Sequence, residues 1–322
     1  MTGLAGVPGL APFGDAAAAW MRRVHDDITT TLVDLDGGSV PLREDAWDRP
    51  GGGGGVARVL VEGDVFEKAG VNWSCVHGAM PASHAQRIGA RVPASAELRF
   101  TATGVSLVWH PRSPRVPTVH LNVRFFEIGL EDGTVLDQWF GGGTDLTPFH
   151  PHPDDPRHFH RALRDLCAAH HPQFYPRFKL WCDEYFVNVH RNNERRGAGG
   201  IFFDNLRVGD PSGLDFAALR AFTDAVGHAL PAAYGPIVAR RRDEPYDDAD
   251  RRRQLLRRGR YVEFNLVHDR GTVFGLQTNA RIESVLMSLP PLARWEYDPV
   301  VAPGSADAEL QAMLEPRDWA DE

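Results

Sequence analysis

The polar positions of one predicted strand carry side chains suited to holding an anion. Residues 118–127 read T-V-H-L-N-V-R-F-F-E, in which His120, Asn122 and Arg124 alternate with apolar residues. Alternate residues of a strand share a face, and a guanidinium forms paired, charge-assisted hydrogen bonds with a carboxylate. The pattern indicates a pocket wall that binds an anionic ligand, although a solvated polar strand face fits the alternation equally well.

A second alternating segment carries matching chemistry. If residues 103–110 form a strand, Ser106 and His110 lie on one face of it, and Val105, Leu107 and Trp109 lie on the other. If this strand neighbours the first with polar faces aligned, both sets of polar side chains line one wall. Taken alone, His110 is more simply a turn residue before a proline.

Three glycines precede a carboxylate in the segment Gly141-Gly142-Gly143-Thr144-Asp145. Glycine lets a backbone approach a bulky ligand closely, so Asp145 is expected at the mouth of such a site, as a base or as an acceptor of N–H groups. A turn-capping role is equally compatible. The segment lacks the Gly-Lys-Ser/Thr ending of a nucleotide-binding loop.

Several histidines raise the question of a divalent metal, since imidazole is its commonest ligand. His158 and His160 would point to different sides of a helix, so only one of them should face inward, and no His-Glu-x-x-His motif is present. A nitrogen-rich metal site therefore stays open. The arginine-rich segment 191–196 is interpreted as a solvated turn, and 240–260 as a solvated helix or a dimer contact.

Composition excludes several classes of protein. The 322 residues are 43% hydrophobic, with a formal net charge of −8, which argues against general nucleic-acid binding. The three cysteines form no Cys-x-x-Cys pair, so neither a disulfide framework nor a zinc knuckle is indicated. No charged signal-peptide start, transmembrane-length run or Gly-x-Gly-x-x-Gly motif occurs. We expect a cytoplasmic protein without membrane integration or a nicotinamide- or flavin-binding Rossmann domain.

Long hairpins followed by groups of helices predict an α+β fold with a mainly antiparallel sheet. Residues 1–15 are expected to be flexible, 51–55 to form a glycine-rich loop, and 301–322 to form a C-terminal tail. An Asp-Gly turn is predicted within 131–134, and a second hairpin around 269–271. The predicted strands span 57–62, 103–110, 118–127, 135–140 and 201–204, and the predicted helices span 16–34, 156–170, 175–186, 213–230, 234–257, 282–289 and 305–314.

Six stretches, taken in order, resemble oxygen-dependent coproporphyrinogen III oxidase. They cover nearly everything from about residue 50 to 300 and continue through E-S-V-L-M-S-L-P-P-L-A-R-W-E-Y. The stretches read G-V-N-W-S-C-V-H-G, S-L-V-W-H-P-R-S-P, P-T-V-H-L-N-V-R-F-F-E, W-F-G-G-G-T-D-L-T-P, R-R-G-A-G-G-I-F-F-D-N-L and R-G-R-Y-V-E-F-N-L-V-H-D-R-G-T-V-F-G-L-Q-T.

The resemblance implies one domain, spanning 1–322, with a large antiparallel sheet flanked by helices on both sides and assembled as a homodimer. It implies oxidative decarboxylation of two propionates of coproporphyrinogen III to vinyl groups, giving protoporphyrinogen IX for haem synthesis. Molecular oxygen is the implied co-substrate, and no flavin, nicotinamide or haem is expected.

The resemblance also assigns roles to individual positions. His120 matches a proton donor and Asp145 the acidic residue placed at the pyrrole nitrogens. From the chemistry of the reaction we further hypothesise that Arg124 clamps a propionate. The positions that match substrate contacts are Ser106, Asn122, Val123, Arg124, Asn279, Ala280 and Arg281. The positions that match metal ligands in bacterial members are His110, His120, His160 and His190, whereas other members work without metal.

Three departures and two alternatives accompany the resemblance. Asn279-Ala280 stands where Gly-Gly is common, Asn205 where a second aspartate is common, and Cys75 at a variable position. A metal-dependent oxygenase of another substrate is the first alternative. The second is a tetrapyrrole-binding protein without turnover, which the retained His120, Arg124 and Asp145 disfavour.

Overall fold

Seven antiparallel strands form the sheet that carries the predicted chemistry. The structure is a computed structural model that describes residues 12–94, 97–277 and 281–322. The sheet order is β1-β2-β3-β4-β5-β6-β9, with every neighbouring pair antiparallel. Its strands are β1 (Arg43–Asp48), β2 (Gly53–Val61), β3 (Phe66–Pro81), β4 (Glu97–Pro111), β5 (Thr118–Gly129), β6 (Val135–Thr147) and β9 (Gly199–Leu206), and a separate ribbon pairs β7 (Val187–Asn188) with β8 (Glu194–Arg195).

One face of the sheet is apolar and forms the main core. Leu107, Leu121 and Val123 are fully buried there, as the alternating pattern predicts for a half-polar strand. They belong to one large cluster of buried apolar residues. The helices that contribute to it are α1 (Gly14–Asp36), α3 (Asp154–His170), α4 (Phe174–Tyr185), α5 (Phe216–Gly227), α6 (Leu230–Ala233) and α7 (Gly235–Arg241).

Within the described parts of the chain, the opposite face is covered only at its two ends. Near Pro111 the cover is α8 (Asp248–Val267) and α10 (Ile282–Leu286), with α9 (Arg270–Gln277) packed against both of these helices; at the far end it is α2 (Ala82–Arg87). The helix α4 (Phe174–Tyr185) packs along the edge strand β9, and α11 (Ala306–Leu314) packs on Ala198 and Trp319. Helices therefore flank the sheet on both sides, and the α+β prediction is confirmed.

The register confirms that the two predicted polar rows share a face. Ser106 pairs with Asn122 across β4 and β5, and His120 pairs with Asp145 across β5 and β6. Paired residues in an antiparallel sheet point to the same side. The Asp-Gly turn is also confirmed, since Gly133 has a φ of 86° and the backbone N–H of Thr134 donates to Asp132.

Four predictions from local sequence are wrong. The predicted loop 51–55 is strand from Gly53 onward, because its backbone pairs with β1 and β3. A side chain at Gly55 would collide with the Trp47 ring, so this strand position requires glycine. The second hairpin is helical, in α8 and α9. The predicted helix 234–257 is two helices, with Pro245 between them, and 213–230 likewise divides into α5 and α6.

The termini differ from expectation where the structure describes them. Residues 1–11 of the predicted flexible N-terminus lie outside the described residues, but α1 already begins at Gly14. The C-terminal segment is anchored, since Trp319 is buried. Among the helices described, none combines the length and apolar character needed to cross a bilayer.

We predict that Asp36 secures the entry to β3. Its buried carboxylate accepts backbone N–H bonds from Val65 and Phe66, at 2.9 Å each, and from Asp64 at 3.2 Å. Asp36→Ala should lower the free energy of unfolding by about 2–4 kcal/mol, because buried donors lose their acceptor. Urea denaturation should show a smaller loss for Asp36→Asn, which keeps one oxygen; equal losses would contradict this role.

Candidate active site on the open face of the sheet

The centre of the polar face is open to solvent. Ser106 is exposed although it lies in the middle strand of a seven-stranded sheet. On one side α10 crosses β3, where the amide of Asn72 donates to the carbonyl of Ser284 at 2.9 Å. On the other side Phe126 stacks between Phe100 and Trp139. We call the uncovered strip between them the open face; it contains Ser106, Asn122, Arg124 and Asp204.

Glycines leave room around Arg124. Both residues paired with it across the neighbouring strands, Gly104 and Gly141, lack side chains. A Cβ on Gly141 would lie 2.6 Å from Arg124 Nε and 2.8 Å from Asp204 Oδ1. The glycine run predicted to admit a bulky ligand thus also lets the guanidinium lie flat on the sheet.

The Arg124 guanidinium is held at two of its nitrogens. Nη1 donates to Asn122 Oδ1 at 2.8 Å, and Nη2 lies 3.1 Å from Asp204 Oδ1. Its side chain is 37% exposed and that of Asp204 is 27% exposed. An arginine offers five N–H donors, so Arg124 retains donors that can reach a ligand.

The side-chain amide of Asn122 also determines which ring nitrogen of His120 carries a proton. Because arginine can only donate, Asn122 presents its oxygen to Arg124 and its Nδ2 to His120 Nε2, at 3.3 Å. The other ring nitrogen, Nδ1, lies 2.8 Å from Asp145 Oδ1. The consistent arrangement is a neutral imidazole that donates from Nδ1 to Asp145 and keeps its Nε2 lone pair toward Asn122 and the open face.

Asp145 lies behind His120 in a closed ion pair. Arg196 Nη2 donates to both of its carboxylate oxygens at 2.6 Å, and the two side chains are 2% and 1% exposed. Burial alone would raise the pKa of the Asp145 carboxyl, but Arg196 and the His120 hydrogen bond offset this and hold that pKa below its ordinary value.

An aromatic box surrounds the Arg196 cation. The guanidinium carbon lies 3.9 Å from the ring centre of Phe186 and 4.8 Å from those of Tyr261 and Phe264. Cation–π contacts of this kind stabilise a desolvated guanidinium. The box explains how a full positive charge is held in the interior beside Asp145.

Two predictions about this part of the site are wrong. Asp145 does not lie at the mouth, because Arg196 and His120 occupy its oxygens. The segment 191–196 is not merely a solvated turn: it ends in the buried Arg196, which was not identified from the sequence. The only signal for it was an arginine placed just before the apolar strand that pairs with the Asp145 strand.

The remaining predicted substrate contacts separate into three groups. The Val123 side chain is fully buried in the core on the other face, so only its backbone could reach a ligand. Arg281 approaches the polar face from the N-terminus of α10 and pairs with Asp45 on β1. Asn279 and Ala280 lie outside the described residues.

The four histidines matched to metal ligands do not converge. His110 is buried and bonded to Thr118 and the Ser288 carbonyl. His160 lies beside Gly199, on the opposite face of the sheet from His120, and is bonded to Tyr175 and the Ala198 carbonyl. His190 is exposed against His268 and Glu263.

The hydrogen bonds of these histidines, and the lowered pKa values of two of them, do not fit the binding of one shared metal ion. Burial lowers the pKa of His160 to about 3, while burial and then Arg258 hold that of His110 well below its ordinary value. Across the described parts of the chain, no three His, Cys, Asp or Glu side chains are grouped as a metal site. The residues present therefore do not fit a four-histidine centre.

The departures at Asn205 and Cys75 leave the open face unchanged. Asn205 has a φ of 52°, a region that asparagine tolerates well, and accepts a hydrogen bond from Arg207. Cys75 is half-buried, and burial raises the pKa of its thiol. The arginine-rich helix is not simply solvated either, since Arg253, Arg257 and Arg258 of α8 are buried.

Comparison with protein families gives a match that spans most of the chain. The model described as "Coproporphyrinogen III oxidase" matches residues 16–319 of 322. The matched range includes β1 to β9, the open face, the Asp145–Arg196 pair and α10.

We predict that Arg196 stabilises the fold chiefly through Asp145. Arg196→Met should lower the free energy of unfolding at pH 7 by about 3–5 kcal/mol, because it leaves a buried carboxylate unpaired. In the wild type the lowered pKa of Asp145 contributes stability above its unfolded pKa, about 3.9, and this is lost as pH falls through the folded value.

The pH dependence separates charge pairing from simple packing. Without Arg196, burial raises the pKa of Asp145, so the carboxyl is neutral in acid and the deficit should shrink between pH 7 and about pH 4. Urea denaturation at both pH values measures this. Arg195→Met, which removes a neighbouring arginine bonded to the Asp183 carbonyl, is the matched control. An equal deficit at both pH values would refute the charge-pairing account.

Proposed function

The chain belongs to the coproporphyrinogen III oxidase family, and from this premise we propose that it catalyses the oxygen-dependent reaction. In that reaction two propionates of coproporphyrinogen III become vinyl groups, giving protoporphyrinogen IX. Family membership supports a role in coproporphyrinogen oxidation; the oxidant, the product and the residue roles belong to the proposal.

The observation that carries the proposal is the pairing of an anion clamp with a proton acceptor on an open face. Arg124 supplies free N–H donors between two glycines, and Asn122 joins it to a neutral His120. A broad, uncovered floor suits a large tetrapyrrole better than a narrow cavity would. Ser106, exposed at its centre, offers a hydroxyl to the same ligand.

The chemistry needs an oxidant but no organic redox cofactor. Each propionate loses CO₂, one proton and two electrons to become a vinyl group. Two such steps release four electrons and two protons; with two further protons these reduce one O₂ to two waters. A porphyrinogen pyrrole is electron-rich, so it can transfer electrons to oxygen directly.

The residues divide this work according to their positions. Arg124 holds a propionate carboxylate and orients it, which lowers the barrier through positioning. His120 Nε2 takes the proton released at the side chain and returns it to solvent or to reduced oxygen. Asp145 keeps His120 in the Nδ1–H tautomer, and Arg196 keeps Asp145 ionised. In this proposal Asp145 orients His120, and this role replaces the direct contact with the pyrrole nitrogens that the resemblance implies.

Two further expectations accompany the proposed reaction. A homodimer is expected from the resemblance, and eight of the thirteen exposed large apolar side chains among the described residues lie between 266 and 300. Such a concentration is typical of an interface. A cytoplasmic location stays a prediction.

The proposal is tested by assaying purified protein with coproporphyrinogen III in air and under anaerobic conditions. Vinyl product and CO₂ should form only with oxygen. Turnover should survive exhaustive chelation, since the histidines do not form a shared site. Anaerobic turnover would overturn the oxygen-dependent assignment, and loss of activity with chelator, restored by one added metal, would overturn the metal-free account.

We predict that Arg124→Gln lowers kcat/KM by about 10- to 100-fold. The substitution removes a charged hydrogen bond of about 1.5–3 kcal/mol from a carboxylate. Arg99→Gln is the matched control: Arg99 lies on β4 but pairs with the exposed Glu131 away from the open face. Steady-state kinetics of both variants decide the role, and unchanged kcat/KM in Arg124→Gln would rule out the clamp.

A further inference from the structure

Both edge strands of the sheet supply an aspartate to the polar face. Asp45 on β1 lies in the same cross-strand row as Ser106, through Ala57 and Asn72. Asp204 lies on β9, at the opposite edge. Their side chains are 32% and 27% exposed, so both are half-buried and reachable.

Each aspartate pairs with an arginine on the polar side of the sheet. Asp204 is 3.1 Å from Arg124, and Asp45 pairs with Arg281, whose second partner is Glu283 at 3.5 Å. The polar face thus presents two arginines that are each already paired with an aspartate, where a ligand bearing four carboxylates would need free cations. An incoming carboxylate has to displace the aspartate from each arginine, or bind the arginine alongside the aspartate.

The energies make replacement feasible. Ion pairs that are partly exposed are worth only about 0–1 kcal/mol, so their loss costs little. Arg124 would also keep its 2.8 Å bond to Asn122 while its other nitrogen changes partner. By contrast, the fully buried Asp145–Arg196 pair has no such freedom.

We propose that Asp204 and Asp45 are internal counter-ions, which occupy Arg124 and Arg281 in the empty site and are displaced by substrate carboxylates. This inference rests on the proposed function, which names the ligand. When a propionate becomes a vinyl group, its arginine returns to the aspartate. The aspartates therefore lower the affinity for carboxylate-rich ligands and leave that for carboxylate-poor ones unchanged.

Porphyrin binding tests the inference without turnover. Coproporphyrin III, the oxidised tetracarboxylate, and protoporphyrin IX, with two propionates, are titrated by fluorescence into the wild type, Asp204→Asn and Asp45→Asn. Each variant should bind the tetracarboxylate about 3- to 10-fold more tightly, the equivalent of roughly 0.7–1.4 kcal/mol, and the dicarboxylate within about twofold of the wild type. Glu131→Gln, which removes a charge 82% exposed and outside the open face, controls for net charge.

The outcomes separate the inference from the proposed function. Unchanged or weaker binding of coproporphyrin III in both variants overturns the inference. The aspartates would then serve to position the arginines and would not compete with the ligand. Equal tightening toward both porphyrins, or by Glu131→Gln, also overturns it. If the wild type binds coproporphyrin III but never converts its reduced form, the proposed function fails while the binding comparison still decides the inference. A wild type that binds neither porphyrin overturns both.

Discussion

The register of β4, β5 and β6 is the constraint on which the site depends. It aligns Ser106 with Asn122 and His120 with Asp145, and it sets glycines beside Arg124 on both neighbours. A slip of one residue would turn every side chain of a strand to the other face. The buried row of Leu107, Leu121 and Val123 prevents such a slip, because it would expose apolar side chains and bury charges. Core packing and site geometry are therefore two consequences of one pairing.

The two linked ion pairs on the polar side of the sheet differ in how deeply they are buried. In the interior, Asp145 and Arg196 are fully desolvated and bind each other without alternatives. At the open face, Arg124 and Asp204 are partly hydrated and weakly coupled. Asn122 and His120 connect the two pairs through hydrogen bonds of 2.8–3.3 Å. The fixed pair gives the imidazole one tautomer, while the weak pair leaves a cation available to a ligand.

The histidines illustrate why positions matched through a sequence resemblance are a poor guide to a metal centre. Four imidazoles match positions associated with metal in relatives, yet the sheet itself separates His160 from His120, and His110 is bonded to Thr118 and Ser288. Each ring has its own local hydrogen-bond partners. The chemistry that we propose for the open face is proton transfer and carboxylate binding, for which His120 and Arg124 supply the functional groups.

The sequence by itself determined the alternating strands, the Asp-Gly turn, the α+β class and the polar row His120, Asn122 and Arg124, because a period of two and turn preferences are local properties. It also carried the family resemblance. Only the tertiary structure decided that Gly53–Gly55 is strand, that 261–267 is helix, and that Arg196 lies behind Asp145. Those outcomes depend on contacts between residues far apart in the chain, such as Trp47 against Gly55 or Arg196 against Asp145, and no local propensity encodes them.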